Sequence, residues 1–524
     1  MTSSRARRAG ALVASVSTLA LVGGTVGAAP ASADPSPSSE AAAAWLVDEI
    51  SGGLFQYPSF PATDHGLNID AALAMLDAGD TAAAQAVADE LEPEIGDYIN
   101  GEAFGDEGSA YGNPTAKILY LLTRLGVNAS DYGGYDLPTI LAEQTYTEGA
   151  ATRRIFDTSI YGDNANAIGQ AFAAAATGDA ATVDYLLLQQ CPGGDFRLEL
   201  GDPEASAAEQ GCTTASTEPS TDVTALVVGL IRPLSDDADV ASAIDAAATF
   251  LASQQAEDGS FGGVAPTTAP NANSTGLAAW ALGSACEYGR ATAAADWVRD
   301  IQLSNGAVAY DQAAYAEASD SGIAENDRDQ FRRATSQAAL GLSYDGTATS
   351  GLTILRTGGG GYLKGGTNIV VGVSGVQATG QQPCLFVGGA STILVAQDGV
   401  ARTGVTLPRR TTNLRLLATS GPGGAGITAK VLGPKKLRNI NRTKRVERRG
   451  AQVVTVRGLE ARESVRLKYR KPGGGFRTVK TGKASRKGIV RARFKVGNKV
   501  GLGTVRVVGE YGFRSGTKKF RVVS

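Results

Sequence analysis

The chain of 524 residues is too long for one compact core, so two to four domains are expected. Its net charge of −3 conceals a split: residues 34–345 hold 11 Lys+Arg against 47 Asp+Glu, a net of −36, whereas residues 434–524 hold 28 Lys+Arg against 4 Glu, a net of +24. Such asymmetry points to two surfaces with different partners, and a lone histidine, His65, leaves little room for histidine-based metal or hydrolase chemistry.

The first segment reads as an export signal over residues 1–33. Arg5, Arg7 and Arg8 form a basic start, Ala11 to Val26 is apolar, and Ala31-Ser32-Ala33 is a small-x-small cleavage site, so the mature chain is expected to begin at Asp34. No later segment is long and apolar enough to anchor the chain in a bilayer, and the expected location is secreted or at the cell surface. Export permits disulfides. Cys191 and Cys212 bracket a loop of about 20 residues and are expected to pair, a closure that contributes about 3 kcal/mol. The relationship of Cys286 to Cys384 is open at this level.

One grammar then recurs six times: an apolar helix, a Gly-aromatic loop, a small polar cluster and a second Ala/Leu-rich helix. The expected copies are Ala41–Ile50 with Leu67–Asp77, Thr81–Tyr98 with Pro114–Leu125, Leu137–Tyr146 with Asn164–Ala176, Ala180–Gln190 with Thr221–Ile231, Asp239–Gln255 with Ser274–Leu282, and Ala291–Leu303 with Arg333–Leu342. A period of this size signals stacked supersecondary units. The fifth copy, "QQAEDGSFGG" at Gln254–Gly263, explains the grammar. Gly259 supplies positive φ to end the first helix, Asp258 bonds the turn backbone, Phe261 folds inward, and Gln254 and Gln255 meet free carbonyls at the helix end. Asn273, Ser274 and Thr275 are expected to supply N-cap oxygens for the second helix. Second helices such as "TGLAAWALG" are apolar nearly all round and should be buried, whereas first helices such as "ATAAADWVRDIQ" keep a polar face and should lie outside.

"FLASQQAEDGSFGG…NSTGLAAWAL" resembles the repeat of the terpenoid cyclase and protein prenyltransferase α/α toroids, a fold also used by cobalamin carriers and the complement thioester domain. The resemblance covers about Glu40 to Ser343 and implies an all-α (α/α)6 toroid over residues 34–350. The chemistry of these relatives is not matched residue by residue. The acidic run "SDDADV", Ser235–Val240, sits at an outer-helix start, where Asp is an ordinary cap, and aromatics are too few for a cation-guiding cavity. There is no CGEQ-like stretch and no Gly-x-Ser-x-Gly elbow. His65 alone makes a poor metal site, so no metal and no cofactor are expected.

The parallel second helices converge their N-termini on one face, where free N–H groups favour polar ligands. That face gathers His65, Asn68, Tyr111, Asn113, Tyr161, Asn164, Asp222, Asn273, Arg332 and Arg333 as a candidate binding surface. Carboxylates near it (Asp64, Asp70, Asp106, Glu107, Asp163 and Asp222) keep open a toroid-class enzyme, a polysaccharide lyase, a glycosidase or a terpenoid cyclase-like activity, in which a pair acts as acid and base.

From about Gly351 β-branched runs alternate with Gly-rich turns, predicting all-β sandwich domains: one over residues 351–433 and a basic one over 434–524. In the latter, "SVRLKYRKPGGGFRTV" and "GIVRARFKVG" alternate β-branched and basic residues at period two, so one sheet face is buried and the other cationic. This pattern resembles the Ig-like modules that end many exported bacterial proteins. Without an aromatic platform, nucleic acid is not an expected partner; an anionic cell-envelope polymer is. The expected function is therefore non-catalytic: a toroid that presents a binding surface for a ligand or partner, held at the envelope by a basic β region.

Overall fold

The computed structural model describes residues 37–344 except 215 and 217, and residues 353–356, 362–374, 383–387, 390–394, 396–397, 400–419 and 425–524. The expected export signal lies outside them. The chain divides into a helical domain and a separate strand-rich C-terminal region.

Among the described residues the helical domain contains fourteen α-helices. They are α1 (Pro37–Ile50) and α2 (His65–Asp77); α3 (Thr81–Leu91), the one-turn α4 (Gly96–Ile99) and α5 (Gly112–Leu125); α6 (Leu137–Glu143) and α7 (Ala167–Thr177); α8 (Ala180–Leu187) and α9 (Thr221–Ile231); α10 (Ala238–Gln254) and α11 (Ala272–Ser284); and α12 (Tyr288–Arg299), α13 (Gln312–Ser321) and α14 (Arg328–Leu342). The second helices pack in succession: α2 on α5, α5 on α7, α7 on α9, α9 on α11, α11 on α14, and α14 returns to α2. Of these, α7, α9 and α11 are apolar nearly all round and can be covered on several sides, whereas α5 and α14 depart from that expectation and carry charged stripes beside their buried ones. In α11 every residue but Asn273 and Trp280 is buried, whereas α10 buries one stripe that includes Val240, Ile244, Ala247 and Leu251.

A single device joins neighbouring copies. Gln255 Nε2 donates to Gly259 O in its own loop and to Arg290 O in α12, the next outer helix (3.1 and 3.0 Å). Gln190 does the same with Gly194 O and Ala243 O (3.0 and 2.8 Å), and Gln302 with Gly306 O and Ser38 O (3.0 and 2.9 Å), which ties the last copy to the first. The loop glycines Gly194, Gly259 and Gly306 have φ of 92°, 93° and 96° and press against Ala246, Ala293 and Ala41, each three residues beyond the carbonyl that the glutamine holds. Among the described residues Gln254 takes no part in this; its Nε2 donates to Ser253 Oγ.

The second half of the loop is pinned to the inner helix. The N–H of Phe261 donates to Thr275 Oγ1, that of Phe196 to Thr224 Oγ1 and that of Val308 to Thr335 Oγ1 (3.0, 3.0 and 2.9 Å). Asn68 Oδ1 and Gln170 Oε1 accept likewise from Phe55 and Ile155. This corrects the expected capping of α11. Asn271 is the N-cap, accepting from Ser274 N at 2.9 Å, because the helix begins at Ala272; Thr275 is spent on the loop. Closure between the first and last copies is reinforced by Glu49 of α1, which takes Arg328 and Arg332 of α14 at 2.9 and 2.8 Å. Burial pushes the Glu49 carboxyl up, but the two arginines outweigh it and the net shift is downward.

The strand-rich region begins with β1 (Thr353–Arg356), β2 (Tyr362–Lys364), β3 (Asn368–Ser374), β4 (Cys384–Val387), β5 (Ala390–Ile393), β6 (Ala396–Gln397), β7 (Val400–Thr406), β8 (Thr412–Thr419) and β9 (Ala425–Leu432). They form sheets ordered β1-β3-β7-β6 and β2-β9-β8-β4-β5. Val371, Val373 and Ala401 from the first share a core with Leu385, Leu416 and Val431 from the second. The last part comprises β10 (Lys435–Lys436), β11 (Ile440–Arg442), β12 (Arg445–Glu447), β13 (Ala451–Val456), β14 (Ser464–Arg470), β15 (Phe476–Lys483), β16 (Val490–Lys495), β17 (Gly501–Val508) and β18 (Arg514–Val523). Its sheets run β10-β18-β17-β14-β15, with β12 also on β18, and β11-β13-β16. The basic run 434–450 supplies the short strands β10 to β12.

Both cysteine pairs are disulfides: Cys191–Cys212, as expected, and Cys286–Cys384, which fastens the helical domain to β4. At the same junction Tyr288 donates to Thr419 O (2.8 Å), and the buried Arg232 donates to Leu394 O and Pro383 O (3.0 and 3.3 Å). Burial lowers the Arg232 pKa to about 10. Among the described residues no ion pair links the basic part to the helical domain; its contacts run to the preceding sheets, through Lys430–Glu460 and through Arg514, which donates to Gly433 O.

Candidate functional site: the hub and N-terminal face of the helical domain

A cavity of about 220 Å³ lies where the second helices meet, and all six contribute to it. Its apolar wall is Leu73, Ile168, Phe172, Leu226, Leu230, Leu277, Trp280 and Leu340. The charged part of the lining is internally matched. Asp70 and Asp77 of α2 face Lys117 and Arg124 of α5 at 2.7 and 2.6 Å. Seven residues separate the members on each helix, two turns, so the pairs stack on facing stripes. Lys117 also donates to Gly66 O and stands over the Phe172 ring, and Arg124 donates to the Tyr120 hydroxyl. Burial pulls the Arg124 pKa down, yet Asp77 beside it lifts it above its ordinary value. Ser336 Oγ lines the cavity without a hydrogen-bond partner among the described residues.

The residues expected on the N-terminal face divide into two groups. Asn113, Asp222, Asn273 and Arg333 stand three or four residues before Lys117, Leu226, Leu277 and Ser336–Gln337, hence one turn above the cavity on the same helix stripes. Asn113 and Asn164 meet, Asn113 Nδ2 donating to Asn164 O at 3.0 Å. Arg333 pairs with Asp64 and Asp329 at 2.5 and 2.8 Å. The others serve local structure. Asn68 is fully buried and bonds the Phe55 backbone twice. Arg332 is held by Glu49 and lies over Phe55. His65 is the first residue of α2, stacks on Tyr98 at 5.4 Å and leaves Nε2 buried without a partner among the described residues. Tyr111 donates to Asp106. Tyr161 and its neighbour Ile160 are 69% and 73% exposed, and only their backbone N–H groups are engaged among the described residues, with Ser159 Oγ and Asp106 Oδ1.

The carboxylates divide similarly. Hydrogen bonds from Ser159, then Ile160 N–H and Tyr111, hold Asp106 below the usual carboxylate range in spite of burial. Asp163 is paired with Arg154 at 2.5 Å, and Glu107 is exposed. Asp222 differs: burial pushes its carboxyl up, and only Ser274 opposes the shift. Among the described residues no three His, Cys, Asp or Glu side chains gather as metal ligands.

Lys117, Arg124, Asp77 and Trp280 were not among the expected site residues. Their signal was present: "NIDAALAMLD" and "AKILYLLTRL" each carry two charges seven apart on otherwise apolar helices, of opposite sign.

No family model matches the sequence and no curated relative does. Solved structures do resemble it. A type II terpene cyclase from Scytonema aligns over 58% of this chain and 96% of its own, with 15% identity and a TM-score of 0.42. A glycosidase aligns over 58% and 97%, with 15% identity and a TM-score of 0.36. Among the described residues no helix is long and apolar enough to cross a membrane.

Proposed function

We propose that this chain is an exported binding protein. Residues 34–350 form a six-hairpin (α/α)6 toroid that takes a small, mostly apolar molecule into its hub, with Asn113, Asp222, Asn273 and Arg333 at the rim. Residues 351–433 form a β-sandwich, and 434–524 an Ig-like module that rests on an anionic envelope polymer. The observation that carries the reading is the hub: a cavity with a continuous apolar wall whose charged groups already satisfy one another. A catalytic acid and base need free carboxyls, so support for the enzyme alternative is thinner. A cavity of ~150 Å³ accepts benzene, so a bicyclic molecule is a fitting probe. Indole is expected to bind saturably in calorimetry with a negative heat-capacity change. Leu230→Trp or Leu226→Phe, each filling the hub, should weaken it at least about tenfold while costing about 1–3 kcal/mol in stability. Absence of indole binding to the wild-type chain would sink the hub reading.

The envelope contact rests on a separate feature. The outward face of β14, β17 and β18 carries Arg466, Lys468, Arg470, Arg506, Lys519 and Arg521, with Lys468 opposite Arg506 and the others at alternate positions along the strands. Among the described residues none of the six is in an ion pair. Such a grid has a spacing of roughly 4.8 Å across strands and 6.7 Å along them, suited to an extended polyanion. The full chain is expected to bind purified anionic cell-wall polymer, to lose binding as salt is raised, and to lose it in an Arg466→Ala, Lys468→Ala, Arg470→Ala triple variant. Binding that ignores both salt and the triple variant would refute the contact.

A further inference from the structure

Outside the hub, the start of α9 holds a carboxylate, Asp222, that has no ion pair among the described residues. Among the described residues Asp222 Oδ1 and, at the start of α11, Asn273 Oδ1 are buried without a hydrogen bond, and the Ser274 hydroxyl, which opposes the upward shift of the Asp222 carboxyl, has no other partner. Ser274 is 1% exposed, so its hydroxyl is not satisfied by bulk water. The loop before α11 completes the arrangement. At the point where a side chain on Gly263 would begin, Thr267 Oγ1 lies 2.6 Å away, Asp222 Oδ2 2.9 Å and Ser274 Oγ 3.2 Å. Three oxygens from three segments therefore converge on a space that the missing side chain of Gly263 leaves open. The Thr267 hydroxyl gives its proton to Val264 O at 2.8 Å, which leaves its lone pairs available. Thr267 itself is exposed, giving a route from solvent.

A buried carboxylate without a partner is unfavourable unless it is neutralised. The three atoms nearest the space are all oxygens, one of them formally charged. That donor set suits a hard cation and not zinc or copper. We propose that Asp222, Thr267 and Ser274 bind a hard cation of the calcium type over Gly263. One carboxylate among neutral oxygens makes the site weak, in the range of about 10⁻⁴–10⁻³ M typical of extracellular calcium modules. The cation links the starts of α9 and α11 to the loop between α10 and α11, next to the rim of the hub, and its binding does not depend on any hub ligand.

The test is calorimetric titration of the full chain with CaCl₂, MgCl₂ and NaCl in separate arms, with choline chloride as background. The acidic surface takes up cations loosely, so the decisive quantity is the difference between variants. Wild type is expected to show one saturable site that Asp222→Asn and Gly263→Ala each weaken at least about tenfold, with a matching loss of the cation-dependent rise in Tm. Thr267→Val, at an exposed position, serves if Gly263→Ala does not fold. The arm that saturates identifies the ion. Equal uptake by wild type and Asp222→Asn would overturn the site. So would a wild type that binds no cation while Asp222→Asn is more stable in choline chloride alone, because Asp222 is then protonated.

Discussion

Glu463→Ala is expected to destabilise the C-terminal strands by about 3–5 kcal/mol, the usual consequence of stranding one member of a buried ion pair. Neither partner has any side-chain exposure: Glu463 receives Arg514 through Nε and Nη2 at 2.8 and 2.9 Å, and both carboxylate oxygens are engaged. Arg514 also donates to Gly433 O at 3.1 Å, and Glu463 accepts from the Glu460 N–H at 2.8 Å, so the pair fastens β18, the loop before β14 and the end of the preceding sheet. Removing the carboxylate leaves a buried guanidinium with only neutral acceptors, Gly433 O and Thr411 Oγ1, among the described residues. The double variant Glu463→Leu with Arg514→Met removes both charges and should recover most of the loss. Amide hydrogen exchange in β14 and β18 reads this locally, which matters because a chain of several modules has no single unfolding transition. Unchanged exchange in the single variant would show that the pair does not secure this region.

Gly306→Ala is expected to cost the helical domain about 3 kcal/mol, well above the ~1 kcal/mol for Gly322→Ala. Both glycines have positive φ, 96° and 79°, so both substitutions strain the backbone. They differ in what a methyl group meets. At Gly322 it enters open space, whereas at Gly306 it strikes the Ala41 backbone of α1. The second clash falls where the last copy closes on the first, beside the Gln302–Ser38 bond and the Glu49–Arg328 pair. Thermal unfolding of the two variants in parallel separates local strain from loss of closure. Equal losses would mean that the contact between the last loop and α1 contributes nothing.

The local grammar of the helical domain was legible because it is enforced locally. Gly259 ends a helix, Phe261 turns inward and Asp258 bonds Ser260 N and Oγ within one loop. The second role of the glutamines was only half legible. A free carbonyl at the helix end was expected, but the partner carbonyl of Gln255 belongs to Arg290, 35 residues on. The cap of α11 was misplaced by two to four residues for a related reason: Asn271, Ser274 and Thr275 are all competent caps in isolation, and the loop's demand for Thr275 decides among them.

For the site, the stripe that carries Asn113, Asp222, Asn273 and Arg333 follows from helix period alone, and the charge of each β strand face follows from alternation. Amphipathic pattern, turn residues and charge bias act over a few neighbours, and these the sequence by itself determined. Only the tertiary structure decided that Asp70 and Asp77 find Lys117 and Arg124, that Cys286 joins Cys384, and that Asp222 stays unpaired beside Ser274 and Gly263. Those outcomes depend on which helix becomes the neighbour of which and at what height, and a desolvated charge is stabilised or stranded by partners that lie tens of residues away along the chain.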